Sequence, residues 1–276
     1  TKGAYKNLSD IYSKKYTSYD KQKILFMIMD ASVVWDHKYI KTLDDADKTH
    51  RSRKYAEIVF GYLPKSKFTK EDAPLIPFYG KANEGFPVIS CMFAIHYMFE
   101  SMNTLDNFVK NVSNIIQVGG IFMGTSLDGY LVDKAFKDEA NAQNYDNTSE
   151  NPLKIERRIN DKIAWILQKD YDKFSNNPLD NVGKSIQVYI VTINQLIEEY
   201  LVDYELLKYK FSQYNILPLL EHDLKKLNLK SSSGSFEDIY NDLSPRELNK
   251  IGTLLPEHKE LSFLNRWFIF KKYSTR

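Results

Sequence analysis

The sequence of 276 residues predicts an α/β protein built on a doubly wound sheet, and three observations carry that prediction. Short apolar runs recur along the chain. They are apolar on successive positions rather than alternating, as in strands covered on both faces. An amphipathic stretch joins the second run to the third, which is the pattern of a βαβ unit with a parallel crossover.

The first run, KILFMIMDA at 23–31, closes on Asp30 and Ala31. The second, FPVISCMF at 86–93, contains Met92 and Phe93 and leads into His96 and Tyr97. In SMNTLDNFVKNVSNIIQ, Leu105, Phe108, Val109, Val112, Ile115 and Ile116 recur at helical spacing, with Gly119-Gly120 expected to stop the helix. The third run is GGIFMGTSL at 119–127, followed by Asp128-Gly129, which reads as a turn with glycine at positive φ. LKIERRINDKIAWILQKDY at 153–171 reads as a second helix of mixed character, and SIQVYIVTI at 185–193 as the fourth strand. A third helix is expected across EYLVDYELLKYKFSQYNI, with Leu201, Tyr204, Leu207 and Phe211 on one face, and RWFIFKK at 266–272 as the last strand. KSKFTKEDAPLIPFYGKANEG, KDEANAQNYDNTSENP and NLKSSSGSFED read as loops. No repeat or composition break interrupts the chain, so 1–276 is expected to be a single domain.

The composition, 43% hydrophobic and 27% charged, is ordinary for a globular protein. A net charge of +2 announces no global attraction for nucleic acid, so any such contact must be local. Cys91 is the only cysteine, which excludes an internal disulfide and points to a reducing compartment. The five histidines form no metal-type pair, and no apolar run approaches a membrane span, so neither metal nor membrane is expected.

In an open parallel sheet ligands bind beyond the carboxyl ends of the strands, where Asp30, His96-Tyr97 and Thr125-Ser126 fall. Taken singly, Asp30 serves equally well as a helix N-cap. His96-Tyr97 reads better as a satisfied core pair, and Glu199 as a solvated charge at a helix start. Glu100 reads as structural, and the lysines of KSKF and LKKLNLK as a solvated surface.

Together, FMIMDAS, FPVISCMFAIHYMFES, GGIFMGTSLDG, SIQVYIVTINQLIEEYLVDYELL and ELSFLNRWFIFKK resemble, in order, the messenger-RNA cap guanine-N7 methyltransferases. Within them the chain is most similar to the methyltransferase domain at the C-terminus of the capping enzymes of large cytoplasmic DNA viruses. The resemblance implies a Rossmann-like class I S-adenosylmethionine-dependent fold, mostly parallel with an antiparallel C-terminal strand. It implies methyl transfer from S-adenosylmethionine to N7 of the guanosine cap, leaving S-adenosylhomocysteine. Asp30 and Ala31 would hold the adenine end of the cofactor, and Met92 and Phe93 would pass beneath it. His96, Tyr97 and Glu199 would hold the cap guanine. Trp267 would line the same pocket, with Phe263 and Phe268 as alternatives in a different register. The implied partners are capped mRNA, the upstream triphosphatase and guanylyltransferase domains of one polypeptide, and a stimulatory subunit. The implied location is the cytoplasm, in a viral factory or virion.

Guanine N7 carries a lone pair and no proton, so this chemistry requires orientation and electrostatics rather than a general base. The sequence departs from the family at two places. A D-x-G-x-G loop and the acid after the next strand are not found; TKGAYKNLSDIYSKKY resembles the helix after the second strand, so the first two strands are expected to be missing from the chain. Met92 stands where many relatives have glutamine. The competing expectation is a methyltransferase-like module that binds capped RNA or a capping enzyme without catalysis. Ribose 2′-O methylation fits poorly, since no lysine flanked by acids is found to deprotonate a hydroxyl.

Overall fold

The computed structural model describes residues 24–43, 52–145 and 151–275. Contacts cluster into two compact units, one comprising residues up to Asp30 with Trp35–Glu84, the other Ala31–Val34 with Gly85–Arg276.

In the first unit, residues 24–30 carry no regular secondary structure and join no sheet among the described residues, which corrects the expected first strand. Phe26 and Ile28 are 44% and 67% exposed, so this apolar run is not covered on both faces. The N–H of Ile28 donates to Ser52 Oγ at 2.9 Å. Helix α1 (His37–Thr42) is started by Asp36, whose carboxylate accepts from Tyr39 N–H. Helix α2 (Ser52–Val59) buries Ala56, Ile58 and Val59. The stretch read as the first loop folds into 3₁₀ turns at Lys65–Lys67 and Lys70–Phe78 and a short helix, α3 (Lys81–Glu84).

The second unit begins with β1 (Phe86–Met92), α4 (Met102–Ile115) and β2 (Ile116–Leu127). The two strands pair in parallel, as the βαβ reading requires. Ser101 caps α4 through Thr104, and Leu105, Phe108, Val109 and Val112 are buried at the expected spacing. Gly119-Gly120 does not end this helix. Ile116 turns extended at its C-cap, and the glycines lie inside β2, where the register to β1 slips between Phe86 and Val88. Gly119 has φ +81, and a Cβ on Gly120 would lie 2.9 Å from the Phe86 carbonyl oxygen.

Asp128-Gly129 is also not a free turn. Asp128 caps α5 (Gly129–Gln143), a helix that occupies much of a stretch read as loop. Glycine is needed at 129 because a Cβ would meet the Phe174 ring at 2.8 Å. The expected helix at 153–171 is a hairpin of β3 (Lys154–Ile159) and β4 (Lys162–Asp170). Asn160 and Asp161 both have positive φ, +49 and +63, the backbone of a primed two-residue turn. Strands β5 (Ser185–Ile190) and β6 (Leu196–Tyr200) complete a four-stranded antiparallel sheet, β3-β4-β5-β6. The fourth expected strand therefore lies outside the parallel sheet. Helix α5 packs on this sheet through Val132 and Phe136 against Ile155, Trp165, Leu167 and Ile186.

Helix α6 (Tyr204–Ser212) is capped by Asp203. Leu207 and Phe211 join the larger core, whereas Leu201 precedes the helix and joins the smaller one, so they do not share a face as expected. After β7 (Ile216–Pro218) come α7 (Glu221–Leu227), β8 (Ser233–Ser235), α8 (Phe236–Asp242), α9 (Pro245–Ile251), α10 (Pro256–Phe263) and β9 (Asn265–Lys272). β9 pairs antiparallel with β2, β7 and β8. Among the described strands of this larger sheet the parallel pair is β1 with β2 and every other pairing is antiparallel, a correction to the mostly parallel expectation. One face buries Phe122, Phe268 and Phe270 against Phe108 of α4 and Phe211 of α6. On the other, Val88 and Met92 are half exposed.

Candidate active site

The carboxyl end of β1 delivers the central residues. Phe93 leaves the strand at φ +51, with its N–H donating to the Thr125 carbonyl at 2.9 Å. A 3₁₀ helix, Ile95–Glu100, follows. Its tight winding turns Ile95, His96 and Phe99 inward and leaves Tyr97 48% exposed. The rings of His96 and Tyr97 stand 4.0 Å apart at 52°.

Glu199 reaches the same place from β6. It lies opposite Ile186, on the sheet face that carries the smaller core, at an edge strand. Its Oε2 is 3.9 Å from His96 Nδ1, longer than a hydrogen bond. His96 Nε2 is buried and has no hydrogen-bond partner among the described residues. Burial holds the His96 pKa down at about 4, so the imidazole is neutral at pH 7. Burial pushes the Glu199 carboxyl above its usual range. The site thus sets a neutral ring with an uncommitted nitrogen beside a partly desolvated carboxylate, a pairing suited to a planar ligand rich in N–H donors.

Met92, Thr125 and Trp267 lie opposite one another across β1, β2 and β9 and share the open face of the larger sheet. Trp267 Nε1 is buried without a partner among the described residues, and a Cβ on Gly234 would lie 3.1 Å from it. Phe268, an alternative to Trp267, is 1% exposed in the larger core. Phe263, the other, packs on Tyr240. Phe236, in a stretch read as loop, brings its ring edge-on to Phe93 at 6.1 Å. The Ser235–Asp238 capping box that starts α8 was the signal that could have placed it.

Asp30 belongs to the first unit. Its N–H donates to Tyr39 Oη at 2.6 Å and its carbonyl accepts from Trp35 Nε1 at 2.7 Å. Ala31, in the second unit, packs against the larger core, and its carbonyl accepts from Asn111 Nδ2 at 3.2 Å. Among the described residues no cluster of three metal-type ligands occurs, and no helix is long and apolar enough to cross a membrane.

The chain is 26% identical over 215 residues to a probable mRNA-capping enzyme of Acanthamoeba polyphaga mimivirus, an overlap of 69% of this chain and 17% of that protein. It is 36% identical over 59 residues to the mRNA cap guanine-N(7) methyltransferase of Aspergillus niger, covering 21% of this chain and 10% of the relative. Against the enzyme of the same name from Drosophila melanogaster it is 42% identical over 45 residues, 16% of this chain and 10% of that one. The chain therefore spans a small part of the length of these relatives. Among solved structures, an S-adenosylmethionine-dependent methyltransferase from Clostridium acetobutylicum aligns at TM-score 0.37 and 10% identity, over 70% of this chain and 60% of that one. The family model for the mRNA (guanine-N(7))-methyltransferase domain matches residues 21–273, taking in both sheets, and the chain belongs to that family.

Proposed function

We propose that this chain moves the methyl group of S-adenosylmethionine to N7 of the guanosine cap of mRNA, leaving S-adenosylhomocysteine. The observation that carries the reading is Glu199 held 3.9 Å from a neutral, buried His96, beside the exposed ring of Tyr97. A carboxylate there accepts from guanine N1–H and N2–H together, a donor pair that adenine lacks. Those two donors favour the charged form of Glu199 and offset the burial that disfavours it. The carboxylate also favours the positive charge that develops on the purine as N7 is methylated. His96 supports this by being neutral, since an imidazolium would repel that charge. Tyr97 offers its ring to the base, and Trp267 offers an indole from the neighbouring sheet.

S-adenosylmethionine supplies an electrophilic methyl group on its sulfonium. The exposed apolar side chains of Met92 and Phe93 at the end of β1 fit its thioether and adenine; for Asp30 and Ala31 a role at its adenine end rests on the family resemblance alone. No side chain must remove a proton, so the contribution of the protein is in-line alignment, which can be worth about 7–11 kcal/mol. Capped mRNA is the substrate in this reading. Upstream triphosphatase and guanylyltransferase domains and a stimulatory subunit are proposed partners. The much greater length of the mimivirus relative supports the former.

Calorimetric titration with S-adenosylhomocysteine and with the cap dinucleotide GpppG tests the reading on wild type, Glu199→Ala and His96→Ala. Binding of both ligands by wild type, with loss of GpppG alone in the variants, supports it. GpppG binding without S-adenosylhomocysteine binding would make the chain a cap-binding module. A folded chain that takes neither ligand refutes both.

A further inference from the structure

A cleft of about 720 Å³ opens between the second half of α5 and the segment that leaves β4, a volume typical of ligand sites. Lys137, Lys169 and Lys173 line it together with Tyr145, Tyr171 and Phe174. Two acids also face it, Asp133 and Asp172. Asp133 is 5% exposed and already engaged: Tyr171 Oη donates to it at 2.8 Å and Lys137 Nζ pairs with it at 2.6 Å. Lys169 Nζ donates to the carbonyls of Tyr171 and Asp172 and stands 4.2 Å above the Tyr171 ring. Burial pulls the Lys169 pKa down, and Lys137 and Lys184 add to the fall against the pull of Asp133 and Asp172. Three lysines against two carboxylates leave an excess of positive charge here, with Lys169 partly desolvated beside aromatic rings. An anion that also carries a flat base answers both features.

The position of the cleft narrows the class of anion. Lys169, Ile186 and Glu199 lie opposite one another across β4, β5 and β6, so they share one face of the smaller sheet. Two strand spacings, about 10 Å, separate the backbones of Lys169 and Glu199. The Phe174 ring lies against Gly129 at the start of α5, and Gly129 N–H donates to the carbonyl of Val202, close in sequence to Glu199. The cleft runs from there along α5.

We propose that this cleft holds the RNA chain that follows the cap, with phosphates on Lys137 and Lys173 and a base against the aromatic wall. The inference rests on the cap reading for its direction, since the chain would leave the guanine at Glu199 and pass Lys169. None of its residues belongs to the site that holds the guanine.

Fluorescence anisotropy of the full chain with a short, uncapped single-stranded RNA tests the proposal. Lys137→Ala/Lys173→Ala should weaken binding on the order of tenfold and reduce the slope of log K against log salt by about 1.4, the share of two phosphate contacts on a single strand. Lys173→Ala alone, at an exposed residue, should give about half of that slope change and leave the melting temperature unchanged. Affinity for GpppG, which has no RNA chain, should keep its value in both. Lys134→Ala is the control, a lysine of the same helix that pairs with Asp138 outside the cleft. An unchanged RNA affinity gives the cleft to another kind of occupant and overturns the proposal. Equal loss in the Lys134 control means a diffuse field and overturns it too, as does inorganic triphosphate competing as well as RNA. A chain that binds RNA through these lysines but neither GpppG nor S-adenosylhomocysteine keeps the cleft and loses the cap reading.

Discussion

Acid should destabilise this protein through His96 in a measurable way. The residue is 5% exposed, and burial holds its pKa at about 4 against the ordinary 6.5. Between those values the unfolded chain binds a proton that the folded chain refuses. The folded state is therefore fully stable, in this respect, above pH 6.5 and loses stability as pH falls toward 4. At 1.36 kcal/mol per unit the whole shift is worth about 3 kcal/mol. Glu199, 3.9 Å away, works against the loss where it is ionised, because it would hold an imidazolium. The net cost is then about 2–3 kcal/mol. Urea unfolding of wild type and His96→Gln at closely spaced pH values isolates this contribution, since the carboxylates titrate in both. Relative to the variant, wild type should lose about 2–3 kcal/mol between pH 7 and 4. A difference that stays constant with pH would show that His96 protonates normally in the folded state. Burial would then not be what keeps the ring beside the guanine neutral.

Gly129→Ala should cost about 1–3 kcal/mol, read as a lowered melting temperature, because its Cβ would lie 2.8 Å from Phe174 and 3.0 Å from the Val202 carbonyl. An unchanged melting temperature would mean that the α5 cap is not tightly packed. Asp161→Gly should stabilise by about 0.5 kcal/mol, since φ +63 strains aspartate more than glycine loses in chain entropy; destabilisation would contradict the primed-turn geometry. Burial pushes the Cys91 thiol up to about 11, so iodoacetamide at pH 8 should label native protein at least roughly tenfold more slowly than unfolded protein. Equal rates would refute its burial.

The sequence was most readable where one signal had one meaning. In α4 the helical spacing and the Ser101 cap agree, and β1 and β9 follow from compact apolar runs. It misled where a local pattern had two readings. LKIERRINDKIAWILQKDY holds good helix formers, yet within Lys154–Ile159 only Ile155 is buried, and Asn160-Asp161 makes the turn between two strands. KILFMIMD reads as a buried strand, but nothing local records that Phe26 and Ile28 are left exposed. His96 and Tyr97 could be placed at the end of a strand from sequence. Their approach to Glu199 could not, because it depends on the pairing of β5 with β6, a tertiary choice that only the family resemblance anticipated. The capping box could have set Phe236 at a helix start, but not its contact with Phe93, a ring distant in the chain.

The place of β9 in the larger sheet has a consequence for how the chain comes into being. It is the strand to which β2, β7 and β8 are all bonded, and its partners begin at residues as remote as Ile121, opposite Lys271. During synthesis from the N-terminus, β2 and α4 emerge long before β9 exists to pair with them. The hairpin of β3 and β4, whose contacts are local, can form at once, whereas the larger sheet must wait, with Phe122 lacking Phe268 and Phe270 as neighbours. Until residues 265–272 are released, the nascent chain presents an unfinished apolar face, which makes this the interval in which a chaperone, or aggregation, competes for it.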